Sequence, residues 1–336
     1  MVLRLIIPIM AFFLFFGLAT ARGADVNWSK VSKARVTLFY PGVASWEFLT
    51  GDDHRLGGKE IKKGKKDCRH CHLSKEGELD LKADEIASAA IRMKRSHNPF
   101  EPEPMPGKKG VMTALLQAAY DKEFVYIRVE WDSKGTGWRK KHGESGVPDR
   151  VSMQVNKQNP SFGKYGCFIS CHNDLNTMPQ SPSAKEVGSD PYYSHLKRDD
   201  VRLYAWYARD SWSDRKSEQE LAQRLKEGGR IDLLSAEIEG AAVSPKDGWV
   251  FDDRGWDEKN GVEASGAWAN GKNTVTIKRR LVSADPYDVS LAEGDTVSIG
   301  LAIHEDRASK RKHYVSFPLT VGLGADGDVK ALKLTE

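Results

Sequence analysis

The chain has 336 residues, with 51 Lys+Arg against 47 Asp+Glu and a formal net charge of +4. Its apolar fraction of 40% and charged fraction of 29% describe a globular chain long enough for a sizeable core, and exclude a disordered or collagen-like one. So small a positive excess leaves no footprint for nucleic acid, and four cysteines at this length exclude a disulfide-dense scaffold.

Residues 1–21 read as a secretory signal: Arg4, an apolar run from Leu5 to Ala19, then small residues at Ala19-Thr20-Ala21. The alternative is an uncleaved anchor, because that run and its flanks approach the lower limit for a spanning helix. No later stretch is as apolar, so membrane contact depends on retention of this segment. The remainder, 25–336, is expected to be exported to the periplasm as one domain.

Strand patterns begin with ARVTLFY (34–40), rich in β-branched and aromatic residues. A long loop, 41–79, follows. It contains Cys68-Arg69-His70-Cys71-His72, the CxxCH attachment signature of c-type haem, in which two thiols bind the porphyrin and the next His takes the iron. On a helical turn residues i and i+3 share a face, which brings both thiols to one ring. Residues 80–95 carry a helical pattern. GVMTALLQAAY and EFVYIRVEW flank Asp121-Lys122 as a hairpin, and RVSMQVN (150–156) alternates like a strand, with Met153 as core.

A second long loop, 157–200, holds Cys167-Phe168-Ile169-Ser170-Cys171-His172, a CxxxCH motif whose i and i+4 thiols also share a helical face. The two motifs account for every cysteine. Local disulfides, or one zinc site made of all four thiols, are the alternatives. Such short disulfide loops remove little chain entropy and leave both following histidines unexplained. Zinc knuckles usually lie closer together. VRLYAWYA (201–208) reads as a strand, and SEQELAQRLKEG (217–228) as a helix with a capping box from Ser217 to Glu220. GVEASGAW and NTVTIKRRL flank an Asn270-Gly271 turn, and TVSIGLAI (296–303) and HYVSFPLTVGL (313–323) close the chain. The expected fold is therefore mainly β: an antiparallel β-sandwich with long haem-carrying loops and a few short helices.

With His72 and His172 as proximal ligands, each iron has a sixth position to be closed by His or Met or left open to substrate. For the first haem, His54 lies fourteen residues before Cys68 in a polar, Gly-rich loop and can fold back; His97 is the next candidate. For the second haem the candidates are His313, then His304 and Met178. Lys59, Lys62, Lys63, Lys65, Lys66 and Arg69 crowd the approach to the first motif, either as a positive ring that steers an acidic redox partner or as a solvated loop. Trp206, Trp212, Trp249, Trp256 and Trp268 are expected in the core and the haem wall.

Three stretches, VTLFYPGVASWEFL, LQAAYDKEFVYIRVEW and KHYVSFPLTVGLG, resemble the haem-binding domain of ethylbenzene dehydrogenase-type γ subunits, which also occurs in cytochrome c-552-like exported proteins. The resemblance runs from about Val36 to Gly324. It implies a β-sandwich that holds haem between its loops, at the end of the electron wire of a molybdenum enzyme related to dimethyl sulfoxide reductase. The γ-subunit haem is a non-covalent b type held by a Met and a Lys. Here the segment after RVSMQVN carries Cys167, Cys171 and His172 instead, and the family's Lys position reads Lys312-His313. The resemblance thus places the second haem in the family's site, with His313 replacing the Lys, and the first haem as an addition.

The sequence reads as an exported cytochrome with two haem c groups, which transfers electrons between respiratory redox proteins: a molybdenum-enzyme subunit or another cytochrome. One rival is an enzyme whose CxxxCH haem stays open to reduce a small oxyanion or peroxide, with Lys197, Arg198 and Arg202 stabilising the anion. Another is a haem-based sensor or binding module.

Overall fold

The computed structural model describes residues 25–40, 49–51, 54–88, 90, 107–139, 148–170, 184–189, 204–210, 214–259, 261–305 and 313–335. The segment 1–24 and the residues His97, Cys171, His172, Met178, Lys197, Arg198, Arg202, Trp212 and Lys312 lie outside them. Among the described residues no helix is long and apolar enough to cross a membrane.

The strands are β1 (Ala34–Phe39), β2 (Val111–Tyr120), β3 (Phe124–Asp132), β4 (Asp149–Asn156), β5 (Ile231–Glu239), β6 (Ala242–Val250), β7 (Arg254–Trp256), β8 (Val262–Ala269), β9 (Lys272–Arg280), β10 (Thr296–His304), β11 (Tyr314–Ser316), β12 (Leu319–Leu323) and β13 (Val329–Lys333). They form one large, mainly antiparallel sheet in the order β7-β6-β5-β4-β10-β11-β1-β2-β3-β9-β8. The expected hairpins are present. Asp121 Oδ1 accepts from Glu123 N and Phe124 N to turn β2 into β3. Asn270 and Gly271 both take positive φ (51° and 74°), the type I′ conformation whose twist suits two adjoining strands. The C-terminal run divides at Phe317-Pro318, where a proline interrupts the ladder, into β11 and β12.

Two routes join β10 to β2. At one end β11 and β1 lie between them; at the other β12 and β13 do, with β13 parallel to both β12 and β2. The sheet folds over itself so that Gly266 of β8 comes against Val243 of β6, where an added Cβ would lie 3.2 Å from Val243 Cγ2. The enclosed core draws Val36, Leu38, Leu116, Val129, Trp131, Val151, Met153, Leu234, Val275, Ile299 and Leu301 from strands all round the sheet.

A second apolar cluster lies on the opposite face of the same central strands. Alternation sends Leu234, Ala236 and Ile238 of β5 inward, and Ile231 and Leu233 outward to meet Phe39, Val315 and Phe317. Cys68, Phe162, Tyr165, Cys167, Phe168 and Ile169 complete this outer cluster. Covered on both faces, β4 is buried at all eight positions. Two of its serine and glutamine side chains are paired: Ser152 Oγ lies 2.9 Å from Ser235 Oγ, and Ser170 Oγ donates to Gln154 Oε1 at 2.6 Å.

Some expectations are corrected. The described part of 201–208, residues 204–208, forms no strand but holds a 3-10 turn, Trp206–Ala208. The helical pattern over 80–95 yields a described helix of only Ala83–Ala87. The described residues of the loop 41–79 include the helices Arg55–Lys62 and Cys68–His72. Trp268 is exposed, with its indole N–H donating to Ser133 O, while Trp206 and Trp256 do pack against the outer cluster. The helix expected at 217–228 forms as Glu218–Lys226, with its capping box.

Candidate functional site

The CxxCH motif forms the helix Cys68–His72, capped by Asp67, whose Oδ1 accepts from His70 N at 2.8 Å. Cys68 points into the outer cluster and Cys71 is exposed. Burial, reinforced by neighbouring Asp67, pushes the Cys68 thiol up to about 12. Cys68 and Cys71 are free thiols, so no local disulfide joins the first pair. These cysteines do not converge as a metal-binding group among the described residues.

Immediately after the motif the chain makes a tight loop. Leu73 bridges to Leu79, Ser74 N donates to Glu78 O, and Gly77 takes a positive φ of 80°. The loop returns Asp80 to the motif, where its N–H donates to His72 O at 2.9 Å and its carbonyl lies 3.2 Å from His72 Nδ1. A carbonyl can only accept, so Nδ1 of His72 carries the proton and Nε2 the lone pair.

His54 caps the N-terminal end of the helix Arg55–Lys62. Its Nδ1 lies 2.8 Å from Leu49 O, which fixes the same tautomer by the same argument. The ring lies against Gly57, where any Cβ would come within 2.5 Å of His54 Cε1. The His54 and His72 imidazoles are nearly parallel, at 16°, with centroids 6.1 Å apart. Two imidazoles bound to opposite sides of one iron at about 2 Å have ring centres about 6 Å apart. Ring spacing, tautomers and carbonyl-anchored Nδ1 atoms therefore all fit a haem iron between His54 and His72.

The second motif starts from the helix Pro160–Tyr165, capped by Asn159 and ended by Gly166 at φ 52° beside Pro318. The chain then tightens into a 3-10 turn, Gly166–Ile169, rather than continuing as the α-turn expected from i, i+4 spacing. Cys167 lies over Gly300 of β10, where an added Cβ would come within 2.4 Å of its Sγ. Cys171 and His172 lie outside the described residues.

The two motifs share the outer cluster. Phe317 lies 6.4 Å from the His72 ring at 20°, and its own ring is 6.2 Å from that of Phe168, the residue after Cys167. Phe39 completes a phenyl triad, 4.9 Å from Phe317 and 6.2 Å from Phe168.

His304 and His313 stack on each other with centroids 4.4 Å apart. That is too close for one iron between them, so the two are not an axial pair of the kind His54 and His72 can form. Burial, then Arg150, His313 and Lys108, hold His304 well below its usual value and hence neutral. Both stand at the end of β10, four residues or about 13 Å along the strand from Gly300. Of the other runners-up, His97 and Met178 lie outside the described residues.

Around the first motif Lys59, Lys62, Lys63 and Lys65 are exposed, with Lys63 3.9 Å from Glu60. Arg69 instead reaches back to Asp328, with both terminal nitrogens within 3.1 Å of its carboxylate. Several residues that shape the site had no sequence signal of that role: the Asp80 carbonyl, the phenyl triad, and the glycines 57 and 300 that make room for His54 and Cys167.

The family model described as ethylbenzene dehydrogenase matches residues 25–219 and 206–316. The chain belongs to the ethylbenzene dehydrogenase family. Within reach of it are two relatives that align almost end to end. Cytochrome c-552 of Stutzerimonas stutzeri is 27% identical over 315 residues, covering 92% of this chain and 91% of the relative. Cytochrome c-551 of Rhodocyclus tenuis is 26% identical over 309 residues, covering 91% and 99%. Membership agrees with the mainly β architecture, whose outer face carries Cys68 and Cys167.

Proposed function

We propose that this chain is an exported c-type cytochrome with two covalent haems, which passes electrons one at a time between redox proteins. The observation that carries the reading is the pair His54 and His72, nearly parallel at 6.1 Å, each with Nδ1 directed at a backbone carbonyl. Two relatives that bear the names of cytochromes, and a family named for a dehydrogenase, support a haem electron-transfer role.

Haem c bound at these motifs supplies reversible one-electron chemistry. The chain's own residues do the rest. Cys68 and Cys71 anchor the first porphyrin, and His72 and His54 close its iron against exogenous ligands. Cys167 and Cys171 anchor the second, with His172 proximal and His313 the candidate distal ligand. The phenyl triad excludes water between the two sites, which lowers the local dielectric and fixes their separation. The exposed lysines of the helix Arg55–Lys62 and the residues after it favour an acidic partner, whether a molybdenum-enzyme subunit or another cytochrome. Residues 1–21 are the export signal, which places the mature chain in the periplasm.

The test is the visible spectrum of the dithionite-reduced protein before and after carbon monoxide, with haem counted by pyridine haemochrome. The expected result is two haems per chain and sharp c-type bands that ignore the gas. A shift on half the haem would mean one open iron and overturn the carrier reading in favour of a haem enzyme.

A further inference from the structure

Outside the haem face, the inner side of β5 ends in charge. Asp232 of β5, Asp247 of β6 and Asp288 of the segment 281–295 each present a carboxylate oxygen, all within 4.8 Å of one another. Asp232 is 0% and Asp247 5% exposed. One cation is present: Arg279 of β9, which pairs with Asp232 Oδ2 and donates its other terminal nitrogen to Val289 O at 2.8 Å. Asp257 and Asp285 add further negative charge to the same region.

Proximity of acids alone would not make a site. The separate observation is that Asp232, Asp247 and Asp288 each keep a buried Oδ1 with no hydrogen-bond partner. The Oδ2 atoms of Asp232 and Asp247 are not so left: Val289 N donates to that of Asp232 at 3.3 Å, and Gly261 N to that of Asp247 at 3.1 Å. An ionised carboxylate can only accept, and a buried acceptor without a partner costs about 1–3 kcal/mol, more when charged. Unsatisfied acceptors on three clustered acids call for a positive centre.

We propose that Asp232, Asp247 and Asp288 form a structural Ca2+ site that ties the segment 281–295 to the β5–β6 hairpin. The donor set is all oxygen, which suits a hard cation and not zinc or copper. Oxygens bound to Ca2+ at about 2.3–2.6 Å can stand up to about 5 Å apart, whereas the octahedron of Mg2+ holds them to about 4 Å. The three oxygens lie within 4.8 Å of one another, inside the larger limit. A proton shared among the carboxylates is the competing account.

The test uses the full-length, haem-loaded protein, stripped with EDTA and titrated with CaCl2 by calorimetry, alongside thermal unfolding. The expected result is one Ca2+ bound per chain, a Tm raised by several degrees with Ca2+, and a smaller rise with equal Mg2+. Asp288→Asn, at the least buried of the three, abolishes the response while the haem spectrum stays unchanged. If that variant does not fold, Asp247→Asn serves: it loses the Ca2+ response if the site is real. No heat of binding with a Tm indifferent to EDTA would overturn the proposal, as would Ca2+ binding that survives both substitutions. An Asp247→Asn protein that gains stability at pH 8, with no Ca2+ effect in the parent, would assign the cluster to a shared proton instead.

Discussion

Gly57→Ala offers a sharp test of the His54 assignment, because two local effects of the substitution point in opposite directions. In the early turn of an ordinary helix this change stabilises by up to about 1 kcal/mol. Here the new methyl would lie 2.5 Å from His54 Cε1, 2.7 Å from Nε2 and 2.8 Å from Nδ1. Carbon contacts rest at about 3.5 Å or more, so the ring has to retreat by about 1 Å. The clash is with a movable side chain rather than with backbone, so the fold survives and the strain falls on the imidazole. Metal–ligand bonds tolerate about 0.2 Å, five times less than that displacement. The expected protein therefore keeps two covalent haems and a Tm within a few degrees of the parent. It gains high-spin character and carbon monoxide binding on one haem. His54→Ala gives the same spectrum more completely. If both variants keep a low-spin spectrum that ignores the gas, His54 does not close the first iron and the assignment moves to His97.

Four further outcomes are expected. Cys71→Ser, at an exposed position, lowers covalent haem from two to one per chain by pyridine haemochrome; a count still at two refutes the first site. His313→Ala turns the second haem high-spin, and an unchanged electronic spectrum moves the distal ligand to His304 or Met178. Burial opposes ionisation of Asp328, but hydrogen bonds from Arg69 and Thr320 outweigh it and hold the carboxyl below its ordinary value. Its stabilisation is therefore complete above about pH 4 and is lost as pH falls through the depressed value. Asp328→Asn should be less stable than the parent at pH 5–7, with the gap closing in acid; a gap independent of pH in urea titrations refutes the ion pair. Leu301→Ala, at a core position with no exposure, should cost about 2–5 kcal/mol by urea unfolding, and a cost below 1 would place Leu301 outside the packed core.

The strands that alternate or meet at a recognisable turn could be read from sequence, as at Asp121 and Asn270-Gly271, because one face of each meets water and the other the core. The hairpin β5–β6 had no such signal. Both faces of β5 are covered, so IDLLSAEIE loses its period of two, and Pro245 sits within β6. β13 is short and mostly exposed, and it owes its place to parallel pairing with β2 and β12, which no local pattern encodes. The cysteine motifs announced the haem chemistry because attachment demands fixed spacing. His54 could be named from its distance to Cys68, yet RLGGKE read as loop: the two glycines argue against a helix until packing against His54 and Gly51 supplies their reason. Phe317 and Gly300 carry no signature at all, since a phenylalanine or glycine in a strand looks the same wherever it faces.

The double connection between β10 and β2 has a consequence for the order of assembly. Its second arm is made by β13, where Leu332 pairs with Ala119, far earlier in the chain. Strands so far apart in sequence pair late, because contacts distant in sequence form slowly. The same late segment carries Asp328, the partner of Arg69 inside the first motif. The thiols of Cys68 and Cys71 therefore emerge long before the segment that latches their helix to the sheet. That interval is a window in which covalent attachment can take place on an open chain, and Asp328 is the latch that ends it.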